Sequence, residues 1–428
     1  MTKLRNKVLA ALSAGAMLLS VATPVFAETT LQITGNGSSS TSGIDLTQNA
    51  NTTVVQSNSA NIHNDVDAKA DSGKNNANHN TGGTVTVDTG NAKTDVAVSN
   101  TVNSNAAKVD CCASGDTSVL ISGNGDKSKN NVDLDVNQKN GSGVAVYQDN
   151  QAYIKNDIDA KSNTGKNDAN HNTGGDVSVT TGNATTDVKV DNTANANWAK
   201  VGGGPKGGTG KVDLRIVGNG SDSKNNIDVE IDHSTVLTQD NSAWIDNDID
   251  AKSNTGKNEA NHNTGGHVLI DTGDAKTDVK VDNLVNFNWA DVDCGCLLDV
   301  FGKISGNGDK SQNDLKATLG SDLQVFQDNC GDKNQIWDLR DGKYKCRLNN
   351  DVDANSKTGK NHADYNTGTP HGGDPSVLTG NADTKVDVSN SGNSNAYGVD
   401  PSLEWPKFDF NFNFSLSLSD LLALLGHH

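Results

Sequence analysis

Apolar residues in this chain recur at every second position over short stretches, the period of a half-buried strand rather than of a helix. Asp176 to Val190 reads DVSVTTGNATTDVKV, with Val177 and Val179 before Gly182-Asn183 and Val188 and Val190 after it. A Gly-Asn pair suits a two-residue type II′ turn. A hairpin closed on it pairs Val177 with Val188 and Val179 with Thr186 on one face, and Asp176 with Lys189 on the other. The same construction sets Asp88 opposite Lys93 and Asp271 opposite Lys276, and opposite charges at cross-strand positions support the register. Asn36-Gly37, Asn124-Gly125, Asn219-Gly220 and Asn307-Gly308 mark a second family of hairpin turns, flanked by sets such as Leu120/Ile121 and Val132/Leu134/Val136. Between the two hairpins lies a strand such as Ala152 to Ala160, with Ile154, Ile158 and Ala160 on one face.

This pattern is written four times. Asn156 to Asn197 and Asn247 to Asn288 match without a gap at roughly three-quarters of positions; Asn64 to Asn105 is a third ungapped copy, and Asn350 to Asn395 a degenerate fourth with a small insertion. The predicted organisation is a signal peptide over 1–27, repeat one over 28–110, repeat two over 111–201 and a Gly-rich linker over 202–210. Repeat three follows over 211–296, repeat four with an insertion over 297–400, and an apolar C-terminal strand with a short tail over 401–428. The expected fold is all-β: four tandem hairpin-rich repeats as sandwich-like units in an elongated rod, favoured by the cross-strand Asp/Lys pairs. The alternative is a β-solenoid, favoured by Asn-rich rungs.

The N-terminus carries Lys3, Arg5 and Lys7, then an apolar run from Val8 to Val21, then Val25-Phe26-Ala27 as a cleavage site. These are the three parts of a secretion signal, so the chain is expected to be secreted, to the cell surface or beyond. No later segment is long and apolar enough to be a transmembrane helix. Loss of the three leader cations takes the net charge from -18 to about -21. That acidity excludes nucleic acid as the main partner. Hydrophobic residues make up 33% and aromatics 4%, which suits small repeated units with a thin core better than one large globule.

In an exported chain six cysteines point to disulfides. Cys330 and Cys346 flank the insertion of repeat four and are expected to close it as a local loop. Cys111, Cys112, Cys294 and Cys296 sit at repeat joints, too far apart in a rod to bridge one joint to the other; local bridges are the plain reading, and cross-links between subunits the sharper one. The NDxD pairs Asp65/Asp67, Asp157/Asp159, Asp248/Asp250 and Asp351/Asp353 place two carboxylates on one strand face. With turn carbonyls they form a candidate Ca²⁺ site; the plainer reading is a solvated face neutralised by Lys69, Lys155, Lys161 and Lys252. His79, His171 and His262 recur singly in ANHNTGG and read as hydrogen-bonding strand residues. Trp198 and Trp289 occupy matching positions, suited to packing a joint or, if exposed, to stacking on glycans. No nucleophile elbow, P-loop, HExxH or dinucleotide fingerprint is present, and repetition itself argues against an enzyme. At the C-terminus Phe408, Phe410, Phe412, Phe414, Leu416 and Leu418 alternate with polar residues, a strand that must bury one face, in repeat four or in a neighbouring subunit.

The run NTGKNDANHNTGG…TTGNATTDVKVDNTANAN resembles the Asn/Thr/Gly-rich repetitive surface proteins of uncultured small-genome bacteria, a likeness that spans the mature chain and implies no activity. Gln56-x-Asn58-x-Ala60, Gln148-x-Asn150-x-Ala152 and Gln239-x-Asn241-x-Ala243 faintly resemble curlin repeats, without the intervening Gly and with a different spacing. The expectation is a secreted structural protein, a subunit of a homopolymeric filament joined by strand donation. The alternative is a repeat-array adhesin that binds surface glycans or another cell.

Overall fold

A computed structural model describes residues 7–9, 17–22, 28–48, 51–109, 116–137, 143–202, 211–293, 299–330, 346–368 and 373–398. Every regular element among them is a strand. Each repeat makes one coil with four segments. An entry strand (Thr29–Thr34, Thr117–Ser122, Lys211–Val217, Asp299–Ser305) leads through a corner into a long strand. The long strand is continuous in coil three, Lys224–Asn254, and in two pieces elsewhere: Thr41–Gln48 with Thr52–Asp71, Lys129–Asn137 with Val144–Asn163, and Gln312–Asn329 with Arg347–Lys357. A corner strand follows (Val85–Asp88, Val177–Thr181, Val268–Thr272, Ser376–Thr379). A return strand closes the coil (Ala92–Val109, Ala184–Gly202, Ala275–Asp293, Ala382–Tyr397).

Every strand of the four coils pairs in parallel with its own counterpart one repeat away, so four sheets run up the stack. Ile154 lies between Ile62 and Ile245, and Val188 between Val96 and Val279. The fold is therefore all-β, and it is the solenoid. The antiparallel hairpins expected at Gly182-Asn183 and its equivalents do not form. Val177 pairs with Val85 and Val268, not Val188; Asp88 lies beside Thr180, and Lys93 beside Thr185. The turns are corners between sheets. The physical reason is that self-pairing gives each inward amide an identical partner one rung above and below, which a hairpin cannot do for these sequences. Nor are the repeats strung end to end as a rod. The 31-residue strand of coil three extends roughly 100 Å, whereas four coils rise only about 15 Å along the stack.

The coil is flattened into two layers, with the long strand in one and the entry and return strands in the other. Val132, Leu134, Ile227 and Val229 of the long strands pack on Val119, Ile121, Leu214 and Ile216 of the entry strands. Farther along, Val146 and Leu237 meet Ala199 and Val201, Ile154 and Ile245 meet Ala194 and Val285, and Ile158 and Ile249 meet Val190 and Val281. Polar columns separate these apolar clusters: Gln239 and Asn241, then Asn247, then Ser253, all fully buried or nearly so. Within the return strand Asn103, Asn195, Asn286 and Asn393 each take a positive φ of 57 to 62°. Asn tolerates this conformation better than most residues. It breaks the two-residue alternation, so that Ala194 to Asn197 are all buried.

Close stacking also dictates small residues at one corner. A Cβ on Gly165 would lie 2.0 Å from the Gly256 carbonyl oxygen, and one on Gly73 2.0 Å from that of Gly165. Gly90, which begins the glycine column of the next corner, has open space around it. Gly165→Ala is expected to lower stability by about 2 kcal/mol or more, the cost of a backbone shift in a packed region. Gly90→Ala should leave the melting temperature unchanged, and thermal unfolding of the two variants checks the contrast.

Candidate functional site

Two features dominate the surface and interior chemistry: one-directional amide ladders, and an outermost coil whose edge no described strand covers. In the ladder Asn103–Asn195–Asn286–Asn393 each Nδ2 donates to the Oδ1 of the coil above, at 3.0, 2.9 and 2.9 Å. Asn105–Asn197–Asn288–Asn395 and Asn58–Asn150–Asn241–Asn329 run the same way. Gln56–Gln148–Gln239–Gln327 runs the opposite way, each Nε2 donating to the coil below. The curlin-like Gln-x-Asn-x-Ala residues thus lie on two of these columns. A hydroxyl chain through Thr94, Ser162, Thr186, Ser253, Thr277, Ser356 and Thr384 links the two layers at 2.9 to 3.1 Å. Sequence reasoning singled out none of these columns as a site, although identical amides at one position of every repeat were the available signal.

Coil four is different from its neighbours. Val386 and Val388 are each 43% exposed where Val279 and Val281 are buried, and Leu319 is 67% exposed where Ile231 is 8%. Among the described residues these side chains have a partner coil on one side only. At the other end Lys7–Leu9 pairs along Asp95–Ala97 and Met17–Ala22 along Ser104–Val109, within the predicted leader.

The acidic pairs form two outward columns. Asp67, Asp159 and Asp250 are matched by lysines two positions on, whereas Asp353 is followed there by Asn355: Lys69 reaches Asp67 at 2.6 Å, and Lys252 reaches Asp250 at 2.6 Å and Asp353 at 3.4 Å. Asp65, Asp157, Asp248 and Asp351 stack with less compensation, Lys155 standing 3.8 Å from Asp157. Desolvation, then Asp157 and Asp351, raises the pKa of Asp248. No group of three or more His, Cys, Asp or Glu side chains among the described residues converges to hold a metal ion. A third acidic column, Asp149–Asp240–Asp328, was not singled out from the sequence. Partial desolvation of the Asp240 carboxyl, then Asp149 and Asp328, pushes its pKa up to about 6.

Cys330 and Cys346 form the expected disulfide, with Cα atoms 5.2 Å apart. It holds together the ends of the insertion, so that Asn329 pairs with Asn241 and Arg347 with Trp244. Cys111, Cys112, Cys294 and Cys296 lie outside the described residues, as do Phe408, Phe410, Phe412, Phe414, Leu416 and Leu418. The premise that the cysteine joints are too distant to meet is corrected by the fold. Val109, Val201 and Val292, which adjoin the joints, share one column, so the joints begin two rungs apart, about 10 Å. Trp198 and Trp289 stack at 5.1 Å; Trp289 is buried beside Phe287 and Ala396 and Trp198 is half-buried, so they pack neighbouring coils against each other. His79, His171, His262 and Tyr365 stack at 4.9 to 5.0 Å along an exposed corner, each at positive φ.

Two outcomes test these columns. Asn197, fully buried, accepts from Asn105 and Asn150 and donates to the Asp240 carbonyl and to Asn288. Asn197→Asp keeps the shape but faces acceptors with a carboxylate, and should cost about 3 to 5 kcal/mol at pH 7. The loss should shrink toward pH 4, because burial raises the carboxyl pKa and the protonated form donates again. Asp240 has its folded pKa raised from 3.8 to about 6. Its stabilising contribution is therefore full below about pH 4 and is lost as pH rises through 6. The melting temperature should be higher at pH 5 than at pH 7.5, and Asp240→Asn should flatten that difference. No family model, no curated protein and no solved structure matches this chain.

Proposed function

We propose that this protein is a secreted structural protein, the subunit of a homopolymeric extracellular or cell-surface filament. One observation carries the reading: the repeats form a single cross-β stack whose last described coil, coil four, has its interior side chains half exposed. Open strand edges template pairing with another chain unless something blunts them. Secretion is supported by the leader pattern of residues 1–27, and the Cys330–Cys346 bridge is compatible with an oxidising exterior. The columns inside the coil are satisfied by one another, so the interior reads as scaffold rather than as a reaction centre.

A second reading, an adhesin, draws on aromatics of the outer face of the long sheet. Tyr147 is 42% exposed there, and Tyr153 and Trp244 lie 6.0 Å apart with Arg347 over the Trp244 ring. Flat aromatic faces stack on glycans.

The purified chain beginning at Glu28 should form filaments whose mass grows with protein concentration, seen by negative-stain microscopy and sedimentation. A species that stays monomeric at every concentration overturns the filament reading in favour of the adhesin.

A further inference from the structure

We infer that copies of this chain join coil to coil: the outer edge of coil four receives the outer edge of coil one of the next copy, and the parallel sheets continue through the joint. The inference rests on the filament reading above and specifies its contact.

The columns match across such a joint. Coil four ends the columns that coil one begins, so Asn395 meets Asn105, Asn390 meets Asn100, Thr384 meets Thr94, and Val386 and Val388 meet Val96 and Val98. The half-exposed valines of coil four are thereby buried as their equivalents in coils two and three already are.

Charge matches too, where the columns themselves change sign. Lys93–Thr185–Lys276–Asp383 starts with a cation and ends with an anion, and Asp95–Asp187–Asp278–Lys385 does the reverse. Asp45–Asp133–Asp228–Lys316 and Asp71–Asn163–Asn254–Lys357 also begin with an anion and end with a cation. At the joint Asp383 therefore faces Lys93, and Lys385, Lys316 and Lys357 face Asp95, Asp45 and Asp71. Asp351 and Asp353 fall on Asp65 and Asp67, repeating the like-charge columns present inside the stack.

Polarity fixes the direction. Coil four presents the Nδ2 side of the asparagine ladders and coil one the Oδ1 side, as the direction of donation requires. Two coil-four edges brought together would set donor against donor, and parallel sheets would meet as antiparallel ones. Head-to-tail contact is heterologous and does not close on itself, so it yields an open filament. Each copy adds four rungs, about 19 Å of length. In a chain that keeps residues 1–27, Lys7–Leu9 and Met17–Ala22 occupy part of the coil-one edge, so the joint needs the chain that starts at Glu28.

Ser99 and Ser389 end one exposed column and become neighbours only at this joint. In the chain from Glu28, Ser99→Cys with Ser389→Cys should give a ladder of covalent oligomers on mild oxidation, beyond any background in either single variant. Lys385→Glu should raise the concentration needed for assembly, more at low salt than at high, and Asp95→Lys in the same chain should restore it, with circular dichroism confirming that each variant is folded. Removal of residues 404–428 should leave filaments intact. Filaments that form without the cysteine ladder, or that vanish on that truncation, overturn the coil-to-coil joint and leave the filament reading standing, with donation of Phe408 to Leu418 as its contact. Absence of filaments from every chain overturns both.

Discussion

Self-recognition between identical side chains one rung apart is the interaction on which this fold depends. An asparagine amide carries a donor and an acceptor at opposite ends, so a column of them satisfies itself without any other partner. That is why a chain so poor in apolar residues holds a two-layer interior at all. Asn150, Asn156 and Asn197 are fully buried yet bonded above, below and across the layers. A buried amide left alone would cost about 1 to 3 kcal/mol, so the columns are stable only as sets.

The same repetition works against the protein wherever the repeated residue is charged. Stacked aspartates at rung spacing repel, and the sequence answers in two ways. Along the Asp67 column it supplies lysines two positions further on, which bridge neighbouring coils, as Lys252 does between Asp250 and Asp353. Along the Asp149 column it supplies none, and protonation takes over part of that task at mildly acidic pH. Stability in this architecture is thus a matter of what each column repeats rather than of the volume of apolar core.

Much of this was legible in the sequence, and the limits have a physical origin. Period-two alternation identified strands, and the fourfold block identified a multiplied unit. The partner of each strand was not legible, because a hairpin within a repeat and a ladder between repeats present the same alternation. Asp88 and Lys93 illustrate the ambiguity. Their opposite charges suggested a cross-strand pair, but Lys93 finds Asp187 of the next coil at 3.1 Å. The Cys330–Cys346 bridge was legible because its loop is local. The open edge of coil four was not, since Val386 reads like Val279 until the number of neighbours is known.

The insertion between Asn329 and Arg347 carries a consequence for how such a chain can diversify. Coil three passes from Asn241 to Trp244 through two residues, whereas coil four leaves the ladder there for seventeen and resumes in register. Coil two, too, has six residues between Asn137 and Val144 where coil three has two between Asp232 and Thr235. The stack asks only that chain leaving a rung re-enter it a few ångströms away, which the disulfide secures in coil four. A lineage can therefore vary the ornament of each coil, in length and in chemistry, while the frame that carries it stays the same.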